Sequence, residues 1–514
     1  MSSYVDFSGR PFHFIGIGGI GMSALAYILA KRDLPIYGSD LQTSHITQRL
    51  QALGAHIFWG QDASNFEVFQ KPANLPTSQS AALETSLEKT TTQASLLQVS
   101  PTQSKAQSNR QIPLTLELPQ VICSTAIHPD NSEYQAAVAL GCPIFHRSDL
   151  LAALVQDYYG IAVAGTHGKT TTSSLAAFML LQGGLDPTVV VGGEVSAWEG
   201  NARMGYSPYL VVEADESDGS LVKLAARVGI VTNIELDHPD HYTSLAQVVS
   251  TFQEFAQNCQ TLIGCIDCIT VREQLNPDIT YSLNPELNAD YTVDLVNYHA
   301  GGTTARVWER GQVLGQLSLK LLGQHNLQNS LAAVAIGRLL GLDFSGIAEA
   351  IAQFEGARRR FEPRGHHQNI LFVDDYAHHP SEIQVTIAAA NLKKQQLLNS
   401  DQPAFNRVVA IFQPHRYSRT QIFLEEFAQS FDQADLVIVT DIYSAGEPDT
   451  GLVSGQNLAD SIALRGQAQI FYERSLESVK IRLAEVLQPG DLALFLGAGN
   501  LNKIIPEVMA VYQT

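Results

Sequence analysis

Long hydrophobic runs are missing from this chain. No stretch of about 18 apolar residues occurs, so the sequence offers no helix expected to cross a membrane. The apolar segment at 12–20 is short, broken by glycines and not preceded by a basic region, and is expected to be a first strand rather than a signal peptide. Cysteine is scarce: five in 514 residues, an odd count that fits a reducing cytoplasm rather than a disulfide framework. Cys265 and Cys268 form a CxxC with no second pair or nearby histidine, and read as buried thiols in an apolar region rather than a zinc site. Basic residues are outnumbered 32 to 51, for a net charge of −19, which excludes a general binder of nucleic acid or anionic membrane. Any anion must be met by a local cluster, and two exist: Arg358-Arg359-Arg360 with Arg364, and Arg416 with Arg419. No internal repeat is visible.

Length and patterning supply the rest. At about 150 residues per domain, the chain makes roughly three domains. Strand patterns alternate with helix patterns in all three segments, which predicts an α/β protein with mostly parallel sheets. The boundaries expected are 1–156, 157–356 and 357–514. A Ser-, Thr- and Gln-rich stretch at about 70–118 reads as a flexible insertion in a surface loop. Antiparallel strands are expected over 292–317, and in the last segment helices over 381–392 and 422–431 between strands at 370–373, 408–412, 436–440 and 492–496.

The most informative octet is Gly165-Thr166-His167-Gly168-Lys169-Thr170-Thr171-Thr172, after the apolar run 161–164 and before a helical pattern. Strand, glycine turn and helix make a phosphate cradle. Backbone N–H groups approach the phosphate, Lys169 neutralises it, and Thr170 can reach Mg²⁺. The usual first glycine is Val163 here, leaving the shorter form built on Gly165 and Gly168. Near the N-terminus, Gly16-x-Gly18-x-x-Gly21 runs into a helix over 24–31, and a second strand at 36–40 ends in Asp40. Alone this predicts NAD and a dehydrogenase, but any nucleotide diphosphate satisfies the same helix N-terminus. Ser124, Thr125 and Ala126 follow the strand 120–123, at the sheet end where such folds bind ligands.

Acids crowd behind two later strands. Glu213, Asp215, Glu216 and Asp218 sit where a hard cation would be held, or form a solvated turn; Glu213, nearest the strand, is the preferred ligand. The run 232–241 carries Asn233, Glu235, Asp237, His238 and His241, a magnesium–nucleotide site or zinc site by composition, or a polar loop. Asn326 and Asn329 share a helix face. Asp375 and His378 leave a strand of the third segment, and Arg416 can pair with carboxylate or phosphate.

Together these motifs resemble the Mur ligase family over nearly the whole chain except the insertion. They occur in the family's order: 16–23, 165–170, 213–218, 232–235 with Asp237-His238, His325-Asn326 with Asn329, 359–362, 374–380, 414–419 and 441–447. One departure is the run 128–133, where the family more often has Asn-Pro-Glu; Asn131 and Glu133 survive there. The resemblance implies a UDP-binding Rossmann-like domain, a central P-loop-type ATPase and a C-terminal Rossmann-like domain that closes on the site. It implies that Gly18, Gly19, Ile20, Gly21, Met22, Ser23, Asp40, Ser124, Thr125, Ala126, Asn131 and Glu133 bind the UDP substrate rather than NAD. ATP would be held by Gly165, Thr166, His167, Gly168, Lys169, Thr170, Thr171, Asn326, Asn329, Arg360 and Asp375. Lys169, Glu213, His238, Arg360 and Asp375 would be catalytic, Thr170, Glu213 and His238 would hold two Mg²⁺, and His378 and Arg416 would line the amino-acid side. The implied substrates are ATP, UDP-N-acetylmuramate and L-alanine, joined through an acyl phosphate in the cytoplasm. A family member adding a peptide to the same sugar nucleotide, a dehydrogenase, and a nucleotide-regulated binding module remain the rivals.

Overall fold

The computed structural model describes residues 4–70, 117–394, 405–466 and 468–513, so nearly all of the expected insertion lies outside the described residues. Three sheets are strung along the chain. The first has five parallel strands in the order His56–Trp59, Ile36–Asp40, Phe12–Ile15, Gln120–Cys123, Ile144–His146. Phe12 and Phe14 lie on its central strand and pack with Ile28 and Leu29 of the helix Ile20–Lys31, all fully buried. That helix begins four residues earlier than its apolar pattern suggests. Gly16, at φ +79°, turns the chain so that the amides of Gly16 and Ile17 both reach the Ser39 carbonyl.

The second sheet has ten strands, ordered Gln312–Leu319, Gly302–Glu309, Tyr291–His299, Ile279–Tyr281, Thr261–Cys265, Val228–Val231, Tyr159–Ala164, Tyr209–Glu213, Thr188–Val195, Gly200–Arg203. Its centre is parallel. The strands 291–319 pair antiparallel at one margin, as their glycine-punctuated pattern predicts, and 200–203 does so at the other. The near-continuous apolar runs of the central strands suit a sheet buried on both faces.

The third sheet is Glu362–His367, Ile370–Asp375, Asp491–Leu496, Arg407–Phe412, Leu436–Thr440, Gln469–Glu473, parallel except for its first strand. The single helix expected over 422–431 is instead two short ones, Tyr417–Ile422 and Leu424–Gln429, broken at Phe423. Glu194, on the second sheet, ties the first domain to the linker that enters the third. Its carboxylate takes His45 of the first domain at 3.1 Å and Arg358 at 2.6 Å, and the Arg358 amide donates to its carbonyl at 2.8 Å. Among the described residues no helix is long and apolar enough to cross a membrane.

Candidate active site

The strand Tyr159–Ala164 delivers the phosphate loop to the carboxyl end of the central sheet, and the helix Lys169–Gln182 leaves from it. Gly165 and Gly168 have φ of +138° and +81°, and a side chain on Gly168 would meet the Asn329 amide at 2.6 Å. The glycines are therefore required by both turn and neighbour. Thr232 and Asn233 accept and donate around the His167 backbone, with Asn233 Oδ1 on the His167 amide at 2.8 Å, fixing the loop against the next strand.

Lys169 points into the acidic turn. Its Nζ donates to Gly165 O at 2.7 Å, Thr166 O at 3.1 Å and both Glu216 oxygens at 2.9 and 2.7 Å. Glu216 is 2% exposed. Burial pushes its carboxyl up to about 7 against the pull of Lys169. Burial acts against the lysine charge too, but Glu216, Asp215 and Glu213 overcome it and hold the ammonium above its usual range. Of the four acids in this turn, the sequence reading singled out Glu213; the partner of the lysine is Glu216.

Glu213 faces the other way. Thr170 Oγ1 donates to its two oxygens at 3.1 and 2.9 Å, and the Gly192 amide donates at 2.7 Å. Hydroxyl and carboxylate oxygens about 3 Å apart are spaced like neighbouring corners of a magnesium octahedron, and all are hard donors. His238 stands nearby in the left-handed region, φ +54°, 3.8 Å from Glu216 Oε1. Burial lowers its pKa to about 4, outweighing Asp237, so the ring is neutral and able to ligate. Asp237 itself is buried with Arg419 of the third domain, which donates to it through Nε at 3.0 Å and a terminal nitrogen at 2.5 Å. Burial opposes the Asp237 charge, but Arg419 holds the carboxyl well below the usual range.

A cavity of about 1260 Å³ lies between the central and C-terminal sheets. His167, Gly168, Thr171, Asn326, Asn329, Arg360 and Asp375 line it, whereas Gly165, Thr166, Lys169 and Thr170 are not among its lining residues. Asp375 accepts from the Phe361 amide at 2.6 Å and the Ala377 amide at 2.8 Å, so its carboxylate braces the loop that carries Arg360. Arg360 lies over the Tyr376 ring at 5.3 Å. Cys265 is buried, its thiol pushed up to about 12 by burial, and Cys268 is half-buried against the apolar core; both also line the cavity.

His167, on the wall of this cavity, lies against the ring of His379 of the third domain, centroids 4.7 Å apart. His167 Nε2 is 3.3 Å from Glu235, and its Nδ1 is 3.4 Å from Glu382 of the third domain. Burial works against the charged ring, yet the two carboxylates raise its pKa to about 10. The ligand atoms of His167, Glu235 and His379 lie within 4.8 Å of one another. The positive charge that Glu235 and Glu382 stabilise on the His167 ring already fills the role of a cation among them. His378 has its backbone amide on Glu382 and its ring 5.7 Å from His415. Arg416 reaches across to Asp240 of the central domain at 2.8 Å.

In the first domain the geometry revises several expectations. Glu133 is fully buried and serves His13 at 2.8 Å, Asn65 at 2.8 Å and Ser39 at 2.5 Å, so it cannot touch a ligand in this arrangement. Asn131 caps the helix Ser132–Ala139. Met22 is packed in the core, and Ser23 donates back to Ile20 O. Asp40 accepts from the Gly18 amide at 2.7 Å, bracing the glycine loop from below. Gly19 and Ile20 remain exposed at the helix start, as do Thr125 and Ala126 at the neighbouring strand end, with Gly18, Gly21 and Ser124 half-buried. Arg147, which motif reading passed over, lies beside Gly21 and ion-pairs with Asp215 and Asp218 at 3.3 and 3.4 Å. Only the fold brings that cation to the glycine loop.

Comparison with known proteins matches three family models in order. The Mur ligase family catalytic-domain model covers residues 11–159, the Mur ligase middle-domain model 163–337, and the Mur ligase glutamate-ligase-domain model 359–499. The chain is 63% identical to a UDP-N-acetylmuramate–L-alanine ligase of Trichodesmium erythraeum, with 100% of this chain and 98% of the relative covered. It is 60% identical to the enzyme of that name from Nostoc punctiforme, over 100% and 98% of the two chains. Among solved structures, the UDP-N-acetylmuramate–alanine ligase of Thermotoga maritima is similar with a TM-score of 0.73 at 27% identity, covering 98% of this chain and 99% of that one.

Proposed function

The chain belongs to the Mur ligase family, and from that premise we propose that it joins L-alanine to the lactyl carboxylate of UDP-N-acetylmuramate at the expense of ATP, in cytoplasmic peptidoglycan precursor synthesis. The observation that carries this reading is the end-to-end likeness to alanine-adding ligases in a chain whose phosphate-loop lysine faces an acidic turn. The same likeness favours alanine over a peptide as the incoming amine, and a dehydrogenase would leave Lys169 and the acidic turn without work.

The residues divide the reaction as follows. Lys169 leaves Glu216 and takes the β- and γ-phosphates of ATP. Thr170 would hold one magnesium ion, with Glu213 beside it, and Glu213 and His238 would hold or orient a second. When bound, magnesium neutralises charge on the phosphates and the carboxylate. Asn326 and Asn329 contact the nucleotide, and Arg360, braced by Asp375, joins from the third domain. The exposed glycine-loop residues and Thr125-Ala126 take the sugar nucleotide at the helix N-terminus.

The lactyl carboxylate oxygen attacks the γ-phosphorus and ADP leaves. The amine of L-alanine, held beside His378 and Arg416, then attacks the acyl carbon. Phosphate departs and the nitrogen loses a proton. The order follows from leaving-group quality, and the protein's share is positioning and charge neutralisation. The test is phosphate release from ATP, Mg²⁺ and UDP-N-acetylmuramate. Release should require L-alanine and should not be supported by an L-alanyl-headed tripeptide. Release with the tripeptide alone would assign the chain to the peptide-adding branch.

A further inference from the structure

We propose that Glu382 is a positioning residue that couples the nucleotide side of this site to the amine side, so that ATP and L-alanine bind cooperatively through one carboxylate. The inference rests on the reading just given.

Glu382 lies in the first turn of the helix Pro380–Lys394, and its two oxygens face different halves of the site. Oε2 accepts from the amides of His378 at 3.0 Å and His379 at 3.3 Å, and lies 3.2 Å from His378 Nδ1. Oε1 looks across the domain boundary to His167 Nδ1 at 3.4 Å and lies 3.8 Å from Arg360 of its own domain. The preceding residue strengthens the crossing: Ser381 Oγ donates at 2.7 Å to the Glu235 oxygen that faces His167 Nε2. Both ring nitrogens of His167 are thus met by carboxylates, one from its own domain and one from Glu382. The backbone of His167 is pinned separately by Thr232 and Asn233, so a shift of the 380–394 helix is felt at a loop that cannot follow it. Burial would raise the Glu382 carboxyl, but His378 and His167 hold it well below the usual range, and it remains ionised throughout.

The consequence is energetic. A ligand that draws on His378 needs the helix turn in place. The same turn puts Oε1 against His167 and Arg360, which line the nucleotide cavity. Either ligand therefore pays part of the ordering cost of the other, and the coupling is reciprocal. A glutamate in the first turn of a helix ordinarily does no more than favour the helix N-terminus; here the fold gives its second oxygen a partner in another domain.

The experiment measures the affinity of a non-hydrolysable ATP analogue with UDP-N-acetylmuramate saturating, with and without L-alanine. In the wild-type chain L-alanine should tighten the analogue by about tenfold, within the usual range of coupling. Glu382→Gln keeps an oxygen for the two amides and removes the charge. It should bring that factor close to one while each ligand alone still binds and the melting temperature is held. Glu382→Asp, shorter but charged, should recover part of the coupling. A Glu382→Gln variant with full coupling overturns the proposal. So does one that loses coupling only together with its folded stability, which would make Glu382 a cap. Wild-type chain that releases no phosphate on adding L-alanine sinks the functional reading instead, and the coupling with it.

Discussion

Lys169 is the residue to which the proposed reaction gives most work, and it is already charged, oriented and occupied. Its ammonium holds two loop carbonyls and Glu216, a geometry that a triphosphate must enter by exchange rather than by simple addition. Lys169→Ala should lower kcat/KM by roughly two to three orders of magnitude, the loss of about 3–4 kcal/mol that removing one aimed electrostatic contact costs; steady-state phosphate release reads it. Glu216→Gln makes the opposite cut. It leaves a buried ammonium short of its counter-charge, which costs about 3 kcal/mol or more. Saturating ATP should restore more melting temperature to that variant than to the wild type, since phosphate replaces the missing carboxylate. Equal thermal shifts in the two proteins would refute the exchange. At this scale the sequence is legible only in part. The strand-glycine-helix context betrays Lys169, but four acids in six residues look alike until the fold turns Glu216 inward and Glu213 toward Thr170. Glu133 is the converse case: a motif position whose side chain the fold spends on His13, Ser39 and Asn65.

Between residues and domains stand the elements that set the reacting groups at contact distance. The strand Thr188–Val195 runs past the phosphate helix so closely that Gly192 and Gly193 admit no side chain. A Cβ at 192 would meet the Glu213 carboxylate at 2.7 Å, and one at 193 would meet Thr170 Cγ2 at 2.9 Å. Gly193→Ala is expected to weaken Mg²⁺-ATP binding about tenfold or more with the fold kept, since about 1.4 kcal/mol of steric displacement suffices for a decade. Calorimetric titration of the folded variant checks it, and wild-type affinity would show that Thr170 moves without cost. The strand 188–195 is linked by parallel pairing through a third strand, Tyr209–Glu213, to the strand Tyr159–Ala164 that feeds this helix, so their approach is a property of topology. Periodicity places the strands and helices well because each buries one stripe or both faces. It fails at 417–429, where the chain breaks at Phe423 to bring Arg419 down onto Asp237, a long-range demand that local pattern does not carry.

The whole molecule is held in this form by contacts between its second and third domains, and these respond to pH with a definite sign. His167 faces Glu235, Glu382 and the His379 ring at 4.7 Å. Its pKa is raised above the ordinary value to about 10, so the contact is fully present below about 6.5 and is lost as pH rises through about 10. Small-angle scattering should therefore report opening of the third domain on the alkaline side, and Glu235→Gln should move that opening to lower pH. An unchanged radius of gyration through pH 10.5 would remove His167 from the closure contacts. The buried Arg419–Asp237 ion pair joins the same two domains at a separate point, so the opening is expected to be partial.

Glu194 has a mechanical implication. The linker at Arg358 is fastened to it, on the very strand that carries Gly192 and Gly193 against Glu213 and Thr170. If the third domain swings about that fastening, the phosphoryl-handling groups sit near the axle and barely travel, while the rim bearing Arg416 sweeps the longest arc. A compound wedged at the rim would then jam the door, whereas one seated at the axle would leave it free to shut on nothing.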